Sequence, residues 1–349
     1  MKSKVYYFKS SINNPYYYDT ILNSIKKIGL VDKLDNNSTI PLKIHSRDML
    51  DCKYINSKVI EEITNYFSNN KINVEIMDTT TLYHEKKGEK INLNDYGVKV
   101  NSDYVEKDVD DEEVSSVNVL KNVYESDSLI VASHFKGHSM IGFSGSLKNV
   151  STGCVDLESK IKLHKLVKPF ISRFSCLACN ECIKSCFDNC ISVDSIAHID
   201  ENTCTGCNAC IESCPKDAIK INKINSEKFI ELLCKTCNKI LENKKNNKVV
   251  YINSLVDIKP YYDCKINSKK IVDDIGILVS NDPVAIDRAS LDLINHKEGK
   301  VDSALKEGIK SDEDKFKNIW RNVDGNLQLD LAEKLGIGSQ DYDLIINEE

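Results

Sequence analysis

No stretch of this sequence approaches the roughly eighteen consecutive apolar residues that a membrane-spanning helix needs. The opening residues, MKSKVYYFKSS, hold no apolar core of the kind a secretory leader carries, so a leader is not expected either. An excess of basic charge is missing as well. The formal net charge is −6, which argues against a nucleic-acid or anionic-membrane partner. The phosphate-cradling glycine motifs are absent: no GxGxxG follows the first apolar strand and no GxxxxGK[ST] occurs, so nucleotide cofactors have no support. What remains is the profile of a soluble globular protein, 41% hydrophobic and 29% charged, expected in the cytoplasm.

Cysteine is what the sequence has in plenty: 14 in 349 residues. A secreted disulfide scaffold is one reading of that number, but the length and the spacing oppose it. Cys176, Cys179, Cys182 and Cys186 follow the pattern C-x2-C-x2-C-x3-C. Cys204, Cys207, Cys210 and Cys214 repeat it in register 28 residues later, and Pro215 follows. Thiolates are soft anionic ligands suited to iron–sulfur clusters. Three cysteines at x2 spacing wrap one corner of a cubane, and the fourth reaches across to the other cluster. The spacing therefore predicts two [4Fe–4S] clusters. The first takes Cys176, Cys179, Cys182 and Cys214, and the second takes Cys204, Cys207, Cys210 and Cys186. Structural zinc is the competing reading, yet zinc motifs usually join two CxxC pairs and do not run three cysteines into a fourth twice. Phe187 stands where the second run has Pro215, which affects chain shape and not ligation. Cys190, the counterpart of Ala218, reads as a small buried residue under a cluster. Two such clusters also suit a reducing cytosol and an anaerobe.

A ferredoxin needs only about fifty to sixty residues, so most of the chain is something else. Residues 4–9, 39–45 and 72–77 read as strands, and the apolar spacing over 18–28 and 59–67 reads as helices, the first stopped at Gly29. Ser128–Ala132 is a continuous apolar run, as in a buried central strand. Beyond the cysteines, a helical pattern covers Phe229 to Ile240. Strands are expected at 249–252 and 275–279, and Asp282 caps a helix over 284–294 with Pro283 in its first turn. This is an α/β fold: a mostly parallel sheet with flanking helices, carrying an inserted ferredoxin-like two-cluster module. The expected boundaries are 1–171, the insert 172–223, and 224–349. The acidic stretch 101–116 reads as a solvated loop or helix face, with a docking surface for a basic partner as the sharper alternative.

Sites in open parallel sheets lie at the carboxyl ends of strands. After 128–132 that end carries His134, Lys136 and His138, then Gly142, Gly145, Lys148 and Asn149. Histidine suits proton transfer near neutral pH, and lysine neutralises a carboxylate or phosphate. His134, Lys136, His138 and Lys148 are the candidate catalytic residues. Asp78, Thr80 and Asn149 are candidates for binding substrate. A metal held by His134 and His138 is a further alternative. His164, and the CxxC pair Cys234 and Cys237, read as structural, while Cys154, shortly after the Lys-Asn pair, is placed to approach either a cluster or the site.

Several separated stretches also resemble the DUF362 family of uncharacterised iron–sulfur proteins. They are DTTTLY (78–83), SHFKGH (133–138), GFSGSLKN (142–149), the double cysteine motif, DIGILVSNDPVAIDRASLDL (274–293) and LGIGSQDYDLI (335–345). They keep the family's order across most of the chain. Ser144 and Ser146 replace small residues of the family's GFGGALKN. The family's CDC is Tyr262-Asp263-Cys264 here, and its glycine-rich loop near residue 45 is His45-Ser46-Arg47-Asp48. The resemblance implies clusters and an α/β scaffold but no reaction. The residues themselves suggest an oxidoreductase that exchanges electrons with a ferredoxin-like redox partner and acts on a small molecule at the His/Lys loops. The alternative is a non-catalytic electron carrier or assembly protein with the α/β domain as a docking platform. A non-redox lyase or isomerase with a cluster or a bound metal as Lewis acid is weaker, and its cluster form is opposed by an assignment that leaves no iron without a cysteine.

Overall fold

The computed structural model describes residues 2–34, 39–45, 57–82, 98–100, 103–244, 248–261, 268–305 and 307–347. Tyr83, His84, Ser46–Asp48 and Tyr262–Cys264 lie outside the described residues.

The first half of the chain supplies strands β1 (Ser3–Lys9), β2 (Thr39–Lys43), β3 (Asn73–Asp78) and β4 (Lys99–Val100). Helices Tyr17–Lys27 and Ser57–Asn69 alternate with them, as the apolar spacing predicts. Gly29 ends the first helix with φ +64°, a left-handed conformation that glycine adopts without a Cβ penalty. The acidic stretch is a hairpin: β5 (Tyr104–Asp108) and β6 (Ser116–Leu120) pair, and Asp110, Asp111, Glu112 and Glu113 sit in the loop between them, as the solvated-loop reading expects, but the flanks are strands. Val117 and Val119 bury alternate positions of β6 in the core, and that period of two fixes the strand. β7 (Leu129–His134) is buried at every position. A second small hairpin follows, β8 (Lys136–His138) against β9 (Gly142–Ser144), and leads into the short helix Ser146–Val150.

The cysteine region is a separate module with four short strands, β10 (Phe170–Ile171), β11 (Ile191–Val193), β12 (Ala197–Ile199) and β13 (Ile219–Lys220). β10 pairs with β13 and β11 with β12. The chain then returns through the helix Lys223–Leu241 to β14 (Val249–Leu255), β15 (Gly276–Ser280) and, last, β16 (Tyr342–Asn347).

Eight strands form one sheet in the order β16-β1-β15-β14-β7-β2-β3-β4. Its pairs are parallel except at β15, which runs antiparallel to both β1 and β14. Alternation builds two cores from single strands. Leu129 and Val131 of β7 face the core with helices Lys223–Leu241 and Pro283–His296, while Ile130 and Ala132 face the one with Tyr17 and Phe67. The module leaves the sheet after β7 and rejoins it at β14, so it is inserted in the α/β fold. Asp282 caps the helix Pro283–His296, accepting from Val284 N at 2.9 Å and Ala285 N at 3.0 Å. Among the described residues no helix is long and apolar enough to cross a membrane.

Candidate functional site

β2, β3 and β7 run parallel and end side by side, and their carboxyl ends open on one cavity of about 60 Å³. That is room for a few waters or a compact ligand. Lys43 and His45 come from the end of β2, Asp78 from β3, and Ser133 and His134 from β7. His138 enters from β8, Lys148 and Asn149 from the short helix Ser146–Val150, and Lys160 and His164 from the helix Leu157–His164.

Lys43 is the keystone of the floor. Its Nζ lies 2.8 Å from Asp78 Oδ1 and 3.0 Å from Asn149 Oδ1. Asn149 donates in turn to the Ala132 carbonyl and to Ser133 Oγ, each at 3.0 Å, which ties the loop to β7. Burial disfavours the Asp78 carboxylate, but the charges of Lys43 and Lys160 outweigh it and hold the group well below the usual carboxylate range. His45, 4.0 Å from Asp78, is itself held well below the ordinary imidazole value by burial and by Lys136, Lys43 and Lys148. It is therefore neutral near pH 7, and Lys43 is the ion-pair partner on which Asp78 depends.

His138 and His164 are neutral as well. Burial and the charges of Lys148 and Lys136 push His138 well below its ordinary value, and burial pushes His164 down to about 3. Neutral rings fix their tautomers through their partners. His134 Nε2 donates to the Val256 carbonyl at 2.8 Å, and His164 Nδ1 donates to the Lys160 carbonyl at 2.8 Å. His138 Nδ1 accepts from Met140 N at 3.3 Å, which leaves its proton on Nε2. Lys160 Nζ donates to Thr79 Oγ1 and, at 2.7 Å, to the Thr80 carbonyl. Burial pushes Lys160 down to about 7, helped by Lys43 and Lys148 against the pull of Asp78.

The helix Ser146–Val150, which carries Lys148 and Asn149, is pinned at its start. Asp287 accepts from Ser146 N at 2.8 Å, Leu147 N at 3.0 Å and Asn253 Nδ2 at 2.8 Å. A β-carbon at Gly145 would fall 2.4 Å from the Asp287 carboxylate, so glycine is required for that approach.

His134, His138, Lys148, Asp78 and Asn149 thus meet in one cavity, as the strand-end reasoning expects. Lys136 is buried but is not part of the lining, and Thr80 contributes its backbone carbonyl to Lys160. Sequence reasoning missed Lys43, His45, Lys160 and His164. Lys43 carried a signal, a lysine inside the apolar strand end Ile-Pro-Leu-Lys-Ile. His164 packs on Phe229 and also lines the cavity. Cys154 is fully buried outside the lining, bonds to the Asn149 carbonyl, and is pushed by burial up to about 11, so it remains a thiol. Cys234 and Cys237 are core residues on the face of Lys223–Leu241.

In the module, the 28-residue repeat is also a repeat of backbone. Ala178, Asn180 and Asn189 have positive φ, as do Gly206, Asn208 and Asp217, their counterparts. Helices Glu181–Ser185 and Ala209–Ser213 correspond, and Ser185 Oγ and Ser213 Oγ meet at 2.7 Å across the pseudo-two-fold. Cys176, Cys179, Cys182 and Cys214 line one recess. Cys186, Cys204, Cys207 and Cys210 line another, with Cys190 beside them. This is the crossed grouping that the spacing predicts. Backbone amides point at the crossing sulfurs: Cys190 N lies 3.4 Å from Cys186 Sγ, and Ala218 N 3.2 Å from Cys214 Sγ. All the described cysteines are free of disulfides. No three His, Cys, Asp or Glu side chains among the described residues converge as around a single ion. A single zinc would draw its sulfurs to about 2.3 Å from one centre, whereas thiolates on a cubane each bind a different iron and stand farther apart. A metal between His134 and His138 has no third ligand among the described residues.

The two parts touch. A β-carbon at Gly206, between Cys204 and Cys207, would lie 2.1 Å from the His164 carbonyl oxygen. Cys207 and Leu82 share one apolar cluster, and both His164 and Leu82 line the cavity.

Residues 40–292 match the family described as "Domain of unknown function (DUF362)". No curated protein matches the chain. Among solved structures, the lactate racemase apoprotein from Thermoanaerobacterium thermosaccharolyticum is similar at 14% identity and a TM-score of 0.37. That alignment covers 86% of this chain, which spans 59% of the racemase chain.

Proposed function

We propose that this chain, which belongs to the DUF362 family, is an iron–sulfur oxidoreductase that holds two [4Fe–4S] clusters and exchanges electrons between a ferredoxin-like protein and a small molecule in the Lys/His cavity. One observation carries the reading: the loop Cys204–Cys210 packs against residues that line the cavity, through Gly206 on His164 and through the apolar cluster that Cys207 shares with Leu82. Clusters held by the eight cysteines supply single electrons at potentials set by burial and hydrogen bonding. The cavity supplies the rest. Lys148 and Lys160 offset negative charge on a bound molecule, and His138 presents an N–H at its Nε2. The Lys43–Asp78–Asn149 network keeps these groups in place.

The far recess has the opposite character. Cys179 is exposed, and so are three apolar side chains, Leu177 beside it in the recess and Phe174 and Ile183 close by in the chain. An apolar, cluster-bearing surface is suited to a redox protein. Electrons would then pass between partner and cavity through the module.

Anaerobic stopped-flow spectroscopy tests this. The reduced protein is mixed with small-molecule oxidants and its visible absorbance followed, for the wild type and for His138→Asn. Selective reoxidation that slows in the variant is the expected result. Equal reoxidation of both by every small oxidant, with fast exchange only to protein partners, would make it an electron carrier.

A further inference from the structure

The two halves of the cysteine repeat differ in one side chain beside their crossing thiolates. Cys190 and Ala218 each follow a residue with positive φ, Asn189 at +53° and Asp217 at +49°. Each aims its backbone N–H at the fourth cysteine of its run, from 3.4 Å to Cys186 Sγ and from 3.2 Å to Cys214 Sγ. The backbone donor is the same in both. Ala218 adds only a methyl group. Cys190 adds a second sulfur 3.4 Å from Cys186 Sγ and within hydrogen-bond reach of Cys204 as well. Cys190 is buried and lines the second recess with Cys186, Cys204, Cys207 and Cys210, so five sulfurs stand where a cubane offers four irons. A thiolate on iron has no proton to give. The hydrogen in the Cys186 contact therefore belongs to Cys190, whose S–H donates to the ligand sulfur. Reduction adds negative charge to a cluster. A donor on its ligand sulfur stabilises the reduced form more than the oxidised one, which raises the potential.

We propose that Cys190 tunes the second cluster: its S–H, held against Cys186 Sγ, raises that cluster's reduction potential, a contribution that Ala218 cannot make to the first. The proposal rests on reading the eight cysteines as ligands of two clusters, and it adds a direction to the electron transfer. The second cluster's loop is the one that packs on the cavity wall, through Gly206 and His164. The extra hydrogen bond thus favours an electron on the cavity side of the module.

Redox titration of the anaerobically purified, cluster-loaded protein, followed by EPR and visible absorbance, tests it on the wild type, Cys190→Ala, Cys190→Ser and Ala218→Cys. Iron and acid-labile sulfide analysis establishes the cluster content of each. Cys190→Ala is expected to lower one of the two potentials by about 59 mV, a tenfold change in a one-electron equilibrium, and to leave the other in place. Cys190→Ser, whose hydroxyl also donates, is expected to stay close to the wild type. Ala218→Cys is expected to raise the other potential. A loss of packing alone would produce neither the serine rescue nor the opposite shift at the other cluster. With iron and sulfide intact, an unmoved potential in Cys190→Ala, an equal shift of both potentials, or a serine variant that follows the alanine one overturns the proposal. Loss of about half the iron in both Cys190 variants would make Cys190 a ligand and overturns it too. A wild type without cluster iron overturns the ligand assignment and the tuning role with it, whereas full clusters with an unmoved potential overturn the tuning role alone.

Discussion

The α-carbon of Gly206 rests against the carbonyl oxygen of His164, so close that a β-carbon there would fall 2.1 Å from it. Gly206 belongs to the cysteine module and His164 to the cavity wall, so this contact is where the two halves of the proposed chemistry meet.

Gly336 provides a matched comparison. Its φ is +75° against +76° for Gly206, yet nothing lies within 4 Å of a β-carbon built on it. Gly336→Ala is expected to lose about 1 kcal/mol from backbone strain alone. Gly206→Ala adds a collision with backbone. It is expected to lower the thermal midpoint well beyond the Gly336 variant and to disturb the EPR signal of the second cluster. Equal shifts in the two midpoints would mean that the contact does not hold the module in place.

Asp287 meets two backbone N–H groups and the amide of Asn253 in a fully buried setting. Asp287→Ala strands those donors and is expected to cost about 3 kcal/mol or more, read as a lower urea midpoint. Burial pushes the carboxyl up to about 6, while in the unfolded chain it titrates at about 3.9. Between those values the folded state holds a proton that the unfolded state has lost. Stability therefore falls as pH rises across the window. Asp287→Asn is expected to flatten that slope.

Cys186 and Cys190 are neighbours, with sulfurs 3.4 Å apart, but they are assigned different roles. Cys186→Ser is expected to remove the second cluster and about half of the iron. Cys190→Ser is expected to keep all of it. Iron analysis of the two variants separates them, and the reverse pattern would reassign the ligand.

Much of this was legible in the sequence because its signals are local. The cysteine repeat, the Asp282–Pro283 cap and the apolar run into His134 each act within a few residues. The hairpin Tyr104–Asp108 with Ser116–Leu120 was hidden by its acidic composition, although Val117 and Val119 alternate. Lys43 and Lys160 were harder. Lys43 meets Asn149 across 106 positions, and Lys160 meets Thr79 across 81. Lys160 also sits between Glu158 and Lys162, so it looks like one more solvated charge until the helix docks on β3. Nothing in a linear pattern marks which lysine of a charged helix will be buried.

The account depends above all on two cubanes held by the crossed thiolates. Iron and acid-labile sulfide analysis of protein purified without oxygen, with EPR after reduction, measures this directly. The expected result is about eight irons and about eight sulfides per chain in a brown protein. A folded, colourless preparation, or one with zinc and no sulfide, would contradict it.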